Sequence, residues 1–148
     1  MQTYQHQHEK ELSLLPTDYT FQMALNNGDV IALGAQPYNL ITLQQFLNNV
    51  KNGISDKIRI TIFNVDGYPS ISILEYDGYS IIFTRRYFVK DDINYITYYG
   101  SNILLKFRED SYDKIKDYIL VTNDKGDVYV FYEVVPNYNQ DVRKIYDR

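Results

Sequence analysis

The chain contains no cysteine and no tryptophan. The lack of cysteine excludes disulfides, thiolate metal sites and thiol catalysis together, and leaves the redox compartment open. Stability must therefore come from an ordinary core. A chain of 148 residues suits one domain burying roughly two thirds of the surface its unfolded form exposes, without staples. Histidine is scarce as well: His6 and His8 are the only two, and both sit in a polar opening segment. Without a positioned His or Cys, the usual nucleophilic triads cannot be assembled. No run approaches 18 apolar residues and the N-terminus lacks the apolar stretch of a signal peptide, so neither a spanning helix nor a leader is expected in these residues. Basic charge is in the minority, with 15 Lys and Arg against 19 Asp and Glu, a net charge of −4 and a pI near 5.1. A phosphate-backbone binder would show clustered cations on a basic domain, so nucleic acid is not an expected partner. The 7 glycines are scattered as turn residues, and no glycine-rich loop links a strand to a helix as phosphate binding requires.

Tyrosine is what the chain has in excess, 16 Tyr beside 7 Phe. A half-buried strand accommodates Tyr because the ring packs while the hydroxyl reaches water. A recognition face is the functional alternative, since Tyr supplies rigid contact area at low entropy cost. The two can occupy opposite faces of one sheet.

Residues 1–11, MQTYQHQHEKE, carry no apolar periodicity and read as a disordered lead-in, with His6 and His8 solvated and short of the further ligands a fixed metal site needs. Pro16, Thr17 and Asp18 open a short helix over about 17–27 that Asn27-Gly28 stops. Leu40, Leu43, Phe46, Leu47 and Val50 form one stripe at helical period, with Asn39 or Thr42 as cap and Gly53 as stop. From Lys57 the period becomes alternating. Ile58, Ile60 and Ile62 face one way with Arg59 and Thr61 opposite, and Asp66-Gly67 and Asp77-Gly78 punctuate a three-strand antiparallel meander. Phase slips at Ile62/Phe63 and Ile73/Leu74 suggest bulges or a strand buried on both faces, and a curved sheet. Further strands are expected at about 94–99, 102–108, 116–122 and 127–135, with Pro136 ending the sheet. The expected fold is α+β: two N-terminal helices packed on one face of a curved antiparallel meander of about six to seven strands, with a small lipocalin-like β-barrel as the alternative. One domain covers 12–136, and 137–148 is a polar C-terminal tail.

Carboxylates lie along the sheet half, but most sit in turns, where Asp caps the backbone, rather than in a cleft with pKa values pushed apart. Asp124-Lys125-Gly126-Asp127 resembles part of a calcium loop without its alternating oxygens or distant Glu, so a hairpin is expected there. No metal site, cofactor or catalytic constellation is expected. Arg85-Arg86 follows the third meander strand, where the two side chains face opposite sides, as solvated edge or as an anion contact. Asp91, Asp92, Tyr98 and Tyr99 bound a mixed acidic and aromatic stretch that reads as an ordinary edge strand or as a docking surface, with aromatic anchors and charge to steer a basic protein.

The run Asn27-Gly28-Asp29-Val30, Tyr38-Asn39-Leu40, Leu43, Phe46, Asn49-Val50, Gly53, Asp56-Lys57-Ile58-Arg59-Ile60-Thr61, Gly67, Pro69-Ile71 and Leu74-Glu75-Tyr76-Asp77-Gly78 resembles a family of small uncharacterised secreted proteins and lipoproteins of spore-forming Gram-positive bacteria. The resemblance covers about residues 20–85. Such proteins usually begin with a lipoprotein signal and carry cysteines in the C-terminal half, and this chain has neither. A lipidated residue preceding the polar lead-in and trimmed away would account for the missing signal. The resemblance carries no catalytic motif. It implies an extracytoplasmic location, at the cell surface or secreted, and a lipid anchor in a longer precursor. The expected function is a non-catalytic extracytoplasmic binding domain that uses a Tyr-rich sheet face or edge to hold a protein partner or a small apolar ligand. The alternative is a cytoplasmic or phage-borne inhibitor or immunity-type protein that binds a basic target, and an enzyme comes third.

Overall fold

The Leu-Phe-Leu-Val stripe does form a helix. In the computed structural model, which describes residues 3–64, 67–110 and 113–135, α3 spans Leu40–Lys51 and buries Leu43 and Phe46 completely. Asn39 precedes it with φ 57° and makes no side-chain cap, because its amide instead donates to Asp29 O at 2.8 Å. Two shorter helices come first, α1 over Tyr4–Ser13 and α2 over Phe21–Asn26. The helix expected to begin near residue 17 starts later because Thr20 is its N-cap, accepting from Met23 N at 3.1 Å.

Among the described residues eight strands make one sheet: β1 Val30–Leu33, β2 Gln36–Tyr38, β3 Asp56–Phe63, β4 Ser70–Tyr76, β5 Ile81–Val89, β6 Asp92–Asp110, β7 Asp113–Thr122 and β8 Asp127–Val135. Their order is β2-β1-β3-β4-β5-β6-β7-β8. All pairs are antiparallel except β1 with β3, whose parallel pairing needs the crossover that α3 supplies. The sheet bends until its ends nearly meet, and Val134 N donates to Ala35 O at 2.9 Å to join β8 to the β1–β2 turn. The protein is thus mostly β with short helices, and the barrel-like alternative fits its curvature.

The alternation in β3 to β5 sorts side chains onto two faces. On the inner face, Val30, Ala32, Ile58, Ile60, Leu74, Phe83, Tyr118 and Phe131 form one core with Leu43 and Phe46 of α3. On the outer face, Ile31, Ile71 and Ile73 pack with Leu12, Tyr19 and Ala24 from α1, α2 and the segment between them. The expectation that the helices share one face is corrected: they lie on opposite faces, because β1 and β4 carry apolar side chains on both faces and each face needs a cover.

The lead-in at 1–11 is corrected too. Residues 4–11 belong to α1, capped by Thr3, which accepts from His6 N at 3.1 Å. Its packing depends on polar anchors rather than an apolar stripe. His8 is fully buried, with Nε2 2.7 Å from Glu75 Oε1 and Nδ1 2.9 Å from Thr84 Oγ1. The two strands expected at 94–99 and 102–108 are one, β6, whose first part pairs with β5 and second part with β7 across a register shift between Gly100 and Asn102. A side chain at Gly100 would run into Val121 O and the Leu120 side chain, so glycine is what lets the strand change partners there. Asp66 of the first expected turn, Pro136 and the tail at 137–148 lie outside the described residues.

Candidate functional site

The six residues singled out in the sequence do not converge. Asp91 and Asp92 are exposed in and beside the β5–β6 turn, where Lys90 adopts φ 57°. Tyr98 and Tyr99 point to opposite faces as alternation requires: Tyr98 stacks on Phe83 at 6.4 Å on the inner face, whereas Tyr99 is 39% exposed on the outer one. Arg85 and Arg86 diverge likewise, and neither is a solvated edge. Arg85 enters the inner face over the Phe83 ring and donates from Nη2 to Tyr129 O at 2.6 Å, while its Nε makes no hydrogen bond. Burial lowers its pKa, and it pairs with no carboxylate among the described residues. Arg86 is fully buried on the outer face and donates at 2.8 Å each to the carbonyls of Leu12, Leu15 and Pro16. It serves as the C-terminal cap of α1.

Of these six residues, only Asp91 lines a concavity among those described below. At the end of the sheet formed by the β3–β4 and β5–β6 turns lies a cleft of about 470 Å³, bounded by Asn64, Tyr68, Ser70, Tyr87, Phe88 and Asp91 among others. Tyr68 and Phe88 stand 4.2 Å apart at 30°, and Tyr68 keeps 39% of its surface. The Ser70 hydroxyl is buried and makes no hydrogen bond to any described residue. This cleft therefore offers ring faces, an unsatisfied hydroxyl, an acid and, in Lys90, a cation.

Sequence reading missed two polar clusters. One is built on Asp29, which sits where the C-terminal motif of α2 leaves it. Gly28 at φ 77° lets Asp29 N reach Ala24 O at 3.0 Å, and the chain turns into β1. Its buried carboxylate accepts from Tyr19 OH at 2.7 Å, Thr61 Oγ1 at 2.8 Å and Arg59 Nε at 2.8 Å. Burial first, then the anion beside it, raises the Tyr19 phenol and keeps it a donor. The other cluster is a cleft of about 390 Å³ in which Asp56, Glu75 and Asp77 meet. All three carboxylates are occupied: Asn49 Nδ2 and Lys57 N serve Asp56, His8 serves Glu75, and Ser80 N and Tyr79 N serve Asp77. The Ser80 N–H, followed by that of Tyr79, holds the Asp77 carboxyl below the usual range, which is opposite to what a general acid needs. No group of three His, Cys, Asp or Glu able to hold a metal occurs among the described residues. Among the described residues, no helix is long and apolar enough to cross a membrane.

Fold and clefts together define a mostly β domain, a bent eight-stranded sheet with helices on both faces and small concavities at its ends. The chain belongs to the DUF4362 family, a domain of unknown function, whose family model matches residues 27–118, from the α2–β1 turn into β7. No curated protein and no solved structure matches it.

Proposed function

We propose that this chain is a non-catalytic binding domain that takes an extended segment of a protein partner into the cleft at the β3–β4 and β5–β6 turns. The observation that carries this reading is the cleft itself: Tyr68, Tyr87 and Phe88 line it beside an unpaired Ser70 hydroxyl and Asp91. Partly exposed aromatic rings anchor a partner with little loss of side-chain entropy, and Lys90 and Asp91 offer it one charge of each sign. The carboxylate cleft supports the non-catalytic part, because each of its acids is already held by a structural donor. Placement outside the cytoplasm, tethered or secreted, is supported by the resemblance to secreted proteins and lipoproteins.

The test uses the immobilised domain to capture protein from native cells, beside Tyr68→Ala and Phe88→Ala. The captured partner is then purified and titrated. Each variant should keep the parent fold and weaken binding by about tenfold, near 1.4 kcal/mol for one lost anchor. Equal affinity for folded variants and parent would remove the cleft from consideration.

A further inference from the structure

The opposite end of β3 carries a third cleft, which shares Lys57 with the carboxylate cleft beside it. β1 begins opposite Ile60, so the Lys57–Arg59 stretch of β3 has no strand on that side. A cavity of about 370 Å³ fills the place, lined by Glu11, Asn27, Asp29, Thr42, Lys57 and Arg59 among others. Lys57 and Arg59 alternate with Ile58, so both cations project from the same face of the strand.

Arg59 is prepared in an unusual way. Asp29 takes only its Nε, at 2.8 Å, and the guanidinium lies 6.0 Å from the centre of the Tyr19 ring. Asp29 is itself fixed by Tyr19, Thr61 and the Asn39 amide on its carbonyl. The plane of the guanidinium is therefore set, while Nη1 and Nη2 make no hydrogen bond to any described residue. A paired N–H edge of that kind matches the two oxygens of a carboxylate or phosphate. Lys57 Nζ adds the second cation. Its neighbour, Glu11 Oε2, is 3.2 Å away; that oxygen is buried and makes no hydrogen bond, although the rest of both side chains reaches solvent, so turning it out to water costs the fold little. Such a pair contributes little, so an incoming anion can replace Glu11 at small cost.

We propose that this cleft binds a compact oxyanion, the carboxylate or phosphate group of a small molecule, with Arg59 as the two-pronged contact and Lys57 as the supporting charge. Asp29 already offsets part of the Arg59 charge, so the affinity is modest and the orientation is what the site supplies.

The experiment follows backbone amide shifts of the full chain while sodium acetate, or separately sodium phosphate, is added at ionic strength held constant with sodium chloride. Saturable shifts are expected at Asn27, Gly28, Lys57 and Arg59, with a Kd on the order of 1 mM for at least one of the two anions. Whichever anion saturates identifies the ligand chemistry. Lys57→Gln should weaken binding about threefold to tenfold, Arg59→Gln should abolish it, and Glu11→Gln should tighten it by freeing Lys57. Lys57 and Glu11 are half exposed, so their variants keep the test decisive even if Arg59→Gln loses the fold. Failure of both anions to saturate, or shifts that none of the folded variants alters, would overturn the assignment.

Discussion

Arg86→Met is the most revealing perturbation of this fold. The guanidinium is fully buried on the outer face, its Nε makes no hydrogen bond, and its Nη groups satisfy three carbonyls at and beyond the end of α1. Burial lowers its pKa, yet arginine remains charged across any accessible pH. Methionine keeps most of the apolar stem and removes three charge-assisted bonds of about 1.5–3 kcal/mol each in gross terms. Two effects reduce that sum. The desolvation cost of the guanidinium is recovered, and the Leu15 and Pro16 carbonyls, whose bonds are only partly buried, regain water. The Leu12 carbonyl stays buried but keeps the Leu15 N–H at 3.2 Å, so it loses its charge-assisted bond, about 1.5–3 kcal/mol, without becoming an orphan acceptor. Adding looser packing of Leu12 gives a net loss of about 3 kcal/mol, or roughly 6–12 °C in Tm for a chain of this size. Thermal unfolding followed by circular dichroism measures the loss, and hydrogen exchange locates it. The amides of α1 should lose protection while those of β3 to β5 keep theirs. A Tm within about 2 °C of the parent, with α1 still protected, would refute the role given to Arg86.

Three further outcomes follow from the geometry. Phe46→Ala should cost about 3–5 kcal/mol in a denaturant titration, since the ring is fully buried between α3 and the inner face. Gly100→Ala should destabilise the fold and disturb the β6–β7 register, because the added methyl meets the Val121 carbonyl and the Leu120 side chain; amide shifts unchanged across 98–104 and 118–123 would contradict this. Asp77 has a folded pKa below its ordinary value, so its stabilisation is present above the usual carboxylate range and lost as the pH falls through the folded pKa. The Asp77→Asn variant should therefore show a shallower loss of Tm between neutral pH and pH 3 than the parent.

The legible parts of the fold were those governed by apolar period. α3 and the β3–β4–β5 meander follow from one stripe and an alternation that side-chain burial enforces. The illegible parts depend on polar groups meeting across long separations. α1 presents only His8 and Leu12 as buried positions, and nothing local says that a histidine will find Glu75 and Thr84 some seventy residues away. Arg86 reads as edge because its acceptors are carbonyls of another segment. Asp29 reads as a turn residue, and the pull of Arg59, Thr61 and Tyr19 on it appears only when β3 lies beside β1. The tip cleft brings together Tyr68 and Phe88 from different hairpins, whereas the sequence drew attention to Tyr98 and Tyr99, which a single strand sends to opposite faces. A mixed stretch of acids and aromatics marks surface, without saying which turn lies next to it.

The most direct measurement of the binding reading is hydrogen exchange of the full chain with and without the purified captured partner. Added protection is expected at residues 67–70 and 87–91, around the Tyr68–Phe88 pair, with β6 beyond Gly100 unchanged. Protection confined to other strands, or none at a saturating concentration of partner, would contradict it.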